Sequence, residues 1–211
     1  MSPVTNQMLN ARREKECVGL TTERKYFHVD GAWIKRSLRP SEWQTNPFAG
    51  MLFIPRFGCF EDDGAVYLVM EYIDGVTMNN LALEQRKVVE TELERYVETL
   101  SGLRSDAWGG PSGIVIPPYR IMTNSARSQW KMKSRETKDL VFCHNDLSTH
   151  NVIVDPATLK VKAILDWEYA GFFPKEFEGM FFRRPGPSAA LEGEVNDERE
   201  LLEVMYENEA K

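Results

Sequence analysis

The sequence predicts an α+β fold: a small β-rich part, then a longer part with one strong helix and a polar-ended β-hairpin. Three features carry this expectation. Asp30-Gly31 separates two strand-like runs, residues 25–29 and Ala32–Ser37, which is a strong two-residue hairpin signal. Past Asp74-Gly75 the apolar period becomes helical, with Val89, Leu93, Tyr96, Val97, Leu100 and Leu103 on one face. Three short apolar runs, at 140–143, 152–154 and 161–165, then bracket a polar segment.

The elements follow in order. Residues 1–24 are polar and mixed, and read as a loosely ordered tail or a short helix. Residues 38–50, with Pro40, Pro47 and Gly50, read as loop. Residues 51–60 form a strand interrupted by Pro55, and 61–64 a turn. Residues 65–72 (AVYLVMEY) are apolar on both faces up to Met70, as in a central strand covered on both sides. A helix is expected over 83–103. Residues 105–138 form a long connection punctuated by Gly109-Gly110-Pro111 and Pro117-Pro118, with one short helix at 124–132. A turn at 156–159 joins the last two short strands, and a final helix covers 197–207. A chain of 211 residues suits one domain or two small lobes. The expected division is a tail at 1–24, a β-rich N-lobe at 25–73 and a C-lobe at 74–211.

Composition narrows the function classes. The formal net charge of −6 argues against a general nucleic-acid or anionic-membrane binder, both of which need a basic face. Cys17, Cys59 and Cys143 are few, odd in number and far apart, so neither a disulfide framework nor a structural zinc site is expected. Cys143 reads as a small core residue. No apolar run suits a signal peptide or a transmembrane span, so the expected location is cytoplasmic.

The chemistry is concentrated in residues 141–170 (VFCHNDLSTHNVIVDPATLKVKAILDWEYA). Asp146 follows one strand, Asn151 enters the next, and Asp166 closes the hairpin that can return it beside Asn151. Phosphoryl transfer needs such a set: one carboxylate to orient a hydroxyl, and an amide oxygen with a second carboxylate to hold Mg²⁺ against ATP phosphates. Oxygen donors from Asn and Asp suit Mg²⁺, which takes few protein ligands. A single Asp at a strand end is more often a turn residue; the three together, with strands between them, are much more specific.

These residues resemble the core of the aminoglycoside phosphotransferase and choline/ethanolamine kinase group, relatives of protein kinases. His144, Asp146 and Asn151 match the HxDxxxxN pattern, and FCHNDL followed by DWEYAG is especially similar to choline/ethanolamine kinases. The resemblance implies a protein kinase-like two-lobed fold with an abbreviated N-lobe and a mainly helical C-lobe. It implies ATP and Mg²⁺ as cofactors and a small-molecule hydroxyl acceptor as partner. Asp146 would be catalytic, His144 would brace the loop, and Asn151 and Asp166 would hold the metal. YLVMEYIDG at 67–75 resembles the hinge, whose backbone at Glu71, Tyr72 and Ile73 would meet adenine. Lys35, on the strand AWIKRS, stands where the ATP-phosphate lysine would be. Its expected glutamate partner is not evident, Glu42 being the single acid between residues 36 and 51. Residues 172–182 (FFPKEFEGMFF) depart from the choline kinase continuation, and their phenylalanines read as core. A non-catalytic or truncated kinase-like protein with impaired nucleotide binding is the alternative. A two-metal hydrolase ranks far below, since only three His exist.

Overall fold

The computed structural model describes residues 17–20, 24–29, 32–37, 57–62, 65–110, 113–122 and 130–210. Its first layer is a five-stranded antiparallel sheet in the order β1-β2-β3-β5-β4. The strands are β1 (Cys17–Leu20), β2 (Arg24–Val29), β3 (Ala32–Ser37), β4 (Phe57–Asp62) and β5 (Ala65–Glu71). Val29 pairs with Ala32, as a two-residue Asp-Gly connection requires. β5 is flanked by β3 and β4, the central place its doubly apolar sequence predicts. Tyr67 is fully buried there and stacks on Phe60, with ring centroids 4.9 Å apart.

Two expectations change in this sheet. Residues 17–20, expected within the tail, form β1 against β2. Four residues without apolar alternation gain their order from backbone pairing to a neighbour, which no local pattern reveals. Glu61 and Asp62, expected in a turn, continue β4 opposite Val66 and Ala65. The loop at 38–50 and the strand half at 51–54 lie outside the described residues.

Beyond β5 the chain forms two three-stranded sheets. One has the order β10-β9-β6, from β6 (Val76–Thr77), β9 (Val152–Val154) and β10 (Val161–Ile164). The other has the order β11-β8-β7, from β7 (Arg104–Ser105), β8 (Leu140–Cys143) and β11 (Gly171–Phe173). The long helix covers Leu83–Ser101 and buries Val89, Leu93, Val97 and Leu100, the face its sequence marks. The Gln85 side chain accepts the Ala82 N–H at 3.0 Å, satisfying a donor at the helix start. Gly102 closes the other end with its N–H on Glu98 O at 3.1 Å. The terminal helix is Glu198–Glu207. A single helical turn, Tyr119–Met122, lies in the long connection. Of the helix expected at 124–132, only 130–132 are described; none of these is helical, and Met132 bridges to Glu209. Among the described residues no helix is long and apolar enough to cross a membrane.

All four residues of β8 are buried, because the strand lies between two cores. On one side Phe142 packs with Leu93, Val152, Ile164 and Trp167 beneath the long helix. On the other, Leu140, Val141 and Cys143 pack with Trp108, Phe173, Phe177 and Met205. A strand clamped on both faces is a rigid launching point for the loop that follows it.

β6 connects the first sheet to this platform. Val76 and Thr77 pair with Val154 and Ile153, so the chain leaving β5 lies directly on the strand after Asn151. Gly75 permits the approach: a Cβ there would sit 2.7 Å from Ile153 Cγ2 and 2.8 Å from Val154 O. Gly75→Ala is therefore expected to cost about 1–3 kcal/mol, as overpacking does. A urea titration reads this as a lower midpoint at unchanged slope; a midpoint equal to wild type would show that β6 can shift away freely.

Candidate functional site

The loop 144–151 leaves β8 and returns as β9, and a buried imidazole sets its shape. His144 is fully buried. Its Nε2 lies 2.9 Å from Leu165 O, and its Nδ1 accepts the Asp146 N–H at 3.2 Å. A neutral ring protonated on Nε2 satisfies both contacts. Burial pushes the imidazole pKa down to about 4, against the upward pull of the Leu165 carbonyl and of Asp166. The ring also packs against Trp167, with centroids 4.5 Å apart. His144 thus joins the loop to the end of β10.

The three residues expected to carry the chemistry converge on this brace. Asn151 donates from Nδ2 to Asp146 O at 2.8 Å and to Asp146 Oδ2 at 3.2 Å. The Asn151 carbonyl accepts the Leu165 N–H at 2.8 Å, which brings the residue before Asp166 alongside. Leu165 is therefore held from both sides, its N–H on Asn151 and its C=O on His144. Asp166 follows with φ 57° and ψ 57°, a left-handed conformation that re-aims its carboxylate as the turn Trp167–Tyr169 begins. Among the described residues only Asn145, Leu159 and Asp166 combine a side chain with positive φ. Two of those three, an Asn and an Asp, flank the loop and are of the residue types that adopt this conformation most readily. With Nδ2 committed to Asp146, the Asn151 side chain keeps its oxygen as the acceptor. An amide oxygen and a carboxylate are the hard-oxygen donor types that suit Mg²⁺.

Glu178 completes the loop's support and was not picked out from the sequence. Its Oε2 accepts a short hydrogen bond from the His144 N–H. Its Oε1 is buried and has no hydrogen-bond partner among the described residues. Burial pushes the carboxyl pKa up to about 7; the His144 and Asn145 N–H groups and Arg120 pull it down, and Asp146 adds to the rise. Arg120, fully buried, donates from Nη2 to Phe177 O at 3.0 Å, next to Glu178. The same guanidinium grips Asp197, with Nε to Oδ1 at 2.9 Å and Nη2 to Oδ2 at 3.0 Å. In sequence, a Glu between Phe177 and Gly179 looks like any surface acid; its burial comes from long-range packing.

The remaining expected positions are distributed as follows. Glu71 ends β5 and is exposed, Tyr72 is 41% exposed, and Ile73 is half-buried, between β5 and β6. This stretch is tied to the loop through Asn79, whose N–H donates to Thr149 O at 3.1 Å and whose Oδ1 accepts from Thr149 Oγ1 at 3.3 Å. Lys35 has its backbone in β3, paired with Tyr26 and Leu68; its side chain and Glu42 lie outside the described residues. Trp167 is buried, with Nε1 donating to Ile164 O at 2.8 Å, and serves as a packing residue. Glu168 is buried beside it, and His150 is exposed.

The model of the choline/ethanolamine kinase family matches residues 69–184, more than half of the chain and the whole of this loop. The chain belongs to the choline/ethanolamine kinase family. Probable choline kinase 1 of Arabidopsis thaliana is 32% identical over 69 residues, which make up 32% of this chain and 20% of that protein. Aminoglycoside phosphotransferase APH(3'')-Id from Streptomyces rimosus superposes with a TM-score of 0.57 at 14% identity, covering 82% of this chain and 80% of that one. A thermostable mutant of aminoglycoside phosphotransferase APH(4)-Ia, in a ternary complex with AMP-PNP and hygromycin B, gives a TM-score of 0.56 at 14% identity, over 81% and 74% of the two chains. At such identities the structural likeness establishes the fold, the α+β kinase-like architecture the sequence predicts.

In this choline/ethanolamine kinase family member, His144 and Glu178 give stability opposite pH slopes. The His144 pKa is lowered on folding, so its stabilisation is complete above its unfolded value near 6.5 and is lost as pH falls towards 4. The shift corresponds to about 3 kcal/mol. The Glu178 pKa is raised, so its stabilisation is complete below about 4.5 and is lost as pH rises towards 7. In denaturant titrations from pH 4.5 to 6.5, His144→Gln should gain less stability with rising pH than wild type, and Glu178→Gln more. Parallel profiles for all three proteins would contradict this assignment.

Proposed function

We propose that this chain is the core of an ATP- and Mg²⁺-dependent phosphotransferase acting on a hydroxyl group of a small molecule. The observation that carries the proposal is a single bonded loop. Asn151 holds Asp146 through its amide and Leu165, the residue before Asp166, through its carbonyl, so the backbones that carry Asp146, Asn151 and Asp166 are bonded together. The acceptor hydroxyl would attack the γ-phosphorus of ATP: an O–P bond forms, the bond to ADP breaks, and the hydroxyl proton passes to the Asp146 carboxylate. Asn151 and Asp166 would hold Mg²⁺, which when bound offsets the charge of the phosphates.

ATP would enter along residues 71–73, with the backbone of Glu71, Tyr72 and Ile73 facing adenine and Lys35 directed to the phosphates. The small N-terminal lobe would end at 73 and the C-lobe begin at 74. Family membership and the likeness to a choline kinase favour an amino alcohol as acceptor. It would lie between the 105–138 connection and the C-terminal segment.

Two substitutions test the roles. Asp146→Asn should lower turnover by roughly 10²- to 10⁴-fold, the range for loss of a general base, while Mg·ATP binding persists. Asp166→Ala should abolish the thermal shift given by ATP with Mg²⁺. Radiolabelled ATP with choline, ethanolamine and other amino alcohols identifies the acceptor. A wild-type chain that binds no ATP in the presence of Mg²⁺ or Mn²⁺ would overturn the proposal.

A further inference from the structure

Asp146 is aimed by a loop whose backbone is held from outside it. The loop turns at Asn145, which has φ 67°. Asn is among the few residues with a side chain that adopt this left-handed conformation, and its own hydrogen bonds help to hold it there. Asn145 contributes one restraint, donating from Nδ2 to Tyr169 O at 2.9 Å. The other comes from Glu178, whose carboxylate takes the His144 N–H. His144 lies two residues before Asp146, so the place of the Glu178 carboxyl fixes the backbone that leads into Asp146.

Glu178 is itself held by a distant pair. Phe177 O accepts from Arg120, whose guanidinium is clamped by Asp197 at the start of the terminal helix. Arg120 belongs to the long connection, 57 residues before Phe177 and 77 before Asp197. A continuous chain of hydrogen bonds and one peptide link therefore runs from Asp197 through Arg120, Phe177 and Glu178 to the loop.

We propose that Glu178 is a positioning residue for Asp146, and that Arg120, clamped by Asp197, holds the segment presenting it. This inference rests on the phosphotransfer proposed above. The test uses the full chain, Mg·ATP as probe and water as acceptor, so that ATP and water give ADP and phosphate. Glu178→Gln should lower kcat roughly tenfold to a hundredfold, as a misplaced reacting group does, with KM for ATP within about twofold of wild type. Glu178→Asp, which restores the charge on a shorter arm, should recover part of the loss. Asp197→Asn should give a smaller loss, again in kcat alone.

Amide hydrogen exchange gives a readout independent of turnover. Exchange at His144 should quicken in Glu178→Gln while the long helix keeps its protection. Wild-type kcat together with wild-type loop exchange in Glu178→Gln would overturn the proposal. So would a parallel loss of kcat, ATP affinity and helix protection, which marks a residue that only supports folding. If the wild-type chain turns over no ATP, the phosphotransfer reading falls, and loop exchange alone decides Glu178, unchanged exchange counting against it.

Discussion

The site depends on keeping one imidazole neutral. His144 has a donor on one edge and an acceptor on the other, and the two edges meet different parts of the chain: Leu165 O before Asp166, and the Asp146 N–H. A protonated ring would present a second donor to the Asp146 N–H, and that contact would turn from attraction to repulsion. Complete burial prevents this, because a charge inside the core between Trp167 and Leu165 is costly. The histidine works through tautomer and shape, joining the residue before Asp166 to the amide of Asp146.

That arrangement needs a rigid base, which the two cores supply. β8 is buried on both faces, so its last residue, Cys143, delivers His144 to a fixed place. The long helix packs on one side through Leu93 and Val97, while Trp108, Phe173 and Phe177 fill the other. Trp108 meets Phe173 and Phe177 edge-on, at 5.9 and 6.0 Å between centroids. The second core also places Glu178, since Phe177 anchors the turn that presents it. Packing and polar positioning are thus parts of one construction: the residue before the carboxylate is core, and the carboxylate reaches back to the strand that core immobilises.

The sequence showed some levels of this clearly and others not at all. The long helix and the three strands around the loop were legible because each has its own periodicity, and Asp146, Asn151 and Asp166 because their spacing around those strands is specific. β1 was not legible, since its order comes from pairing with β2 rather than from its four residues. Glu178, Arg120 and Asp197 were invisible for a related reason. They lie 34 to 77 residues from their partners, and a charged residue in a mixed segment has no local mark that distinguishes burial from exposure. Local patterns disclose elements and close motifs; the groups that hold a motif in place are chosen by tertiary proximity.

The phenylalanines after Asp166 show the same division between composition and place. Read as a group, they could have lined an aromatic pocket for a cationic acceptor. Phe173, Phe177 and Phe182 are fully buried and belong to the cores. The Phe181 ring lies 5.3 Å from the Arg120 guanidinium and 5.1 Å from that of Arg184, so the chain's own cations already engage its π system. That contact steadies Arg120, the group that fixes the backbone before Glu178. Phe181 therefore serves the loop through Arg120, as a packing partner of the chain's own guanidiniums.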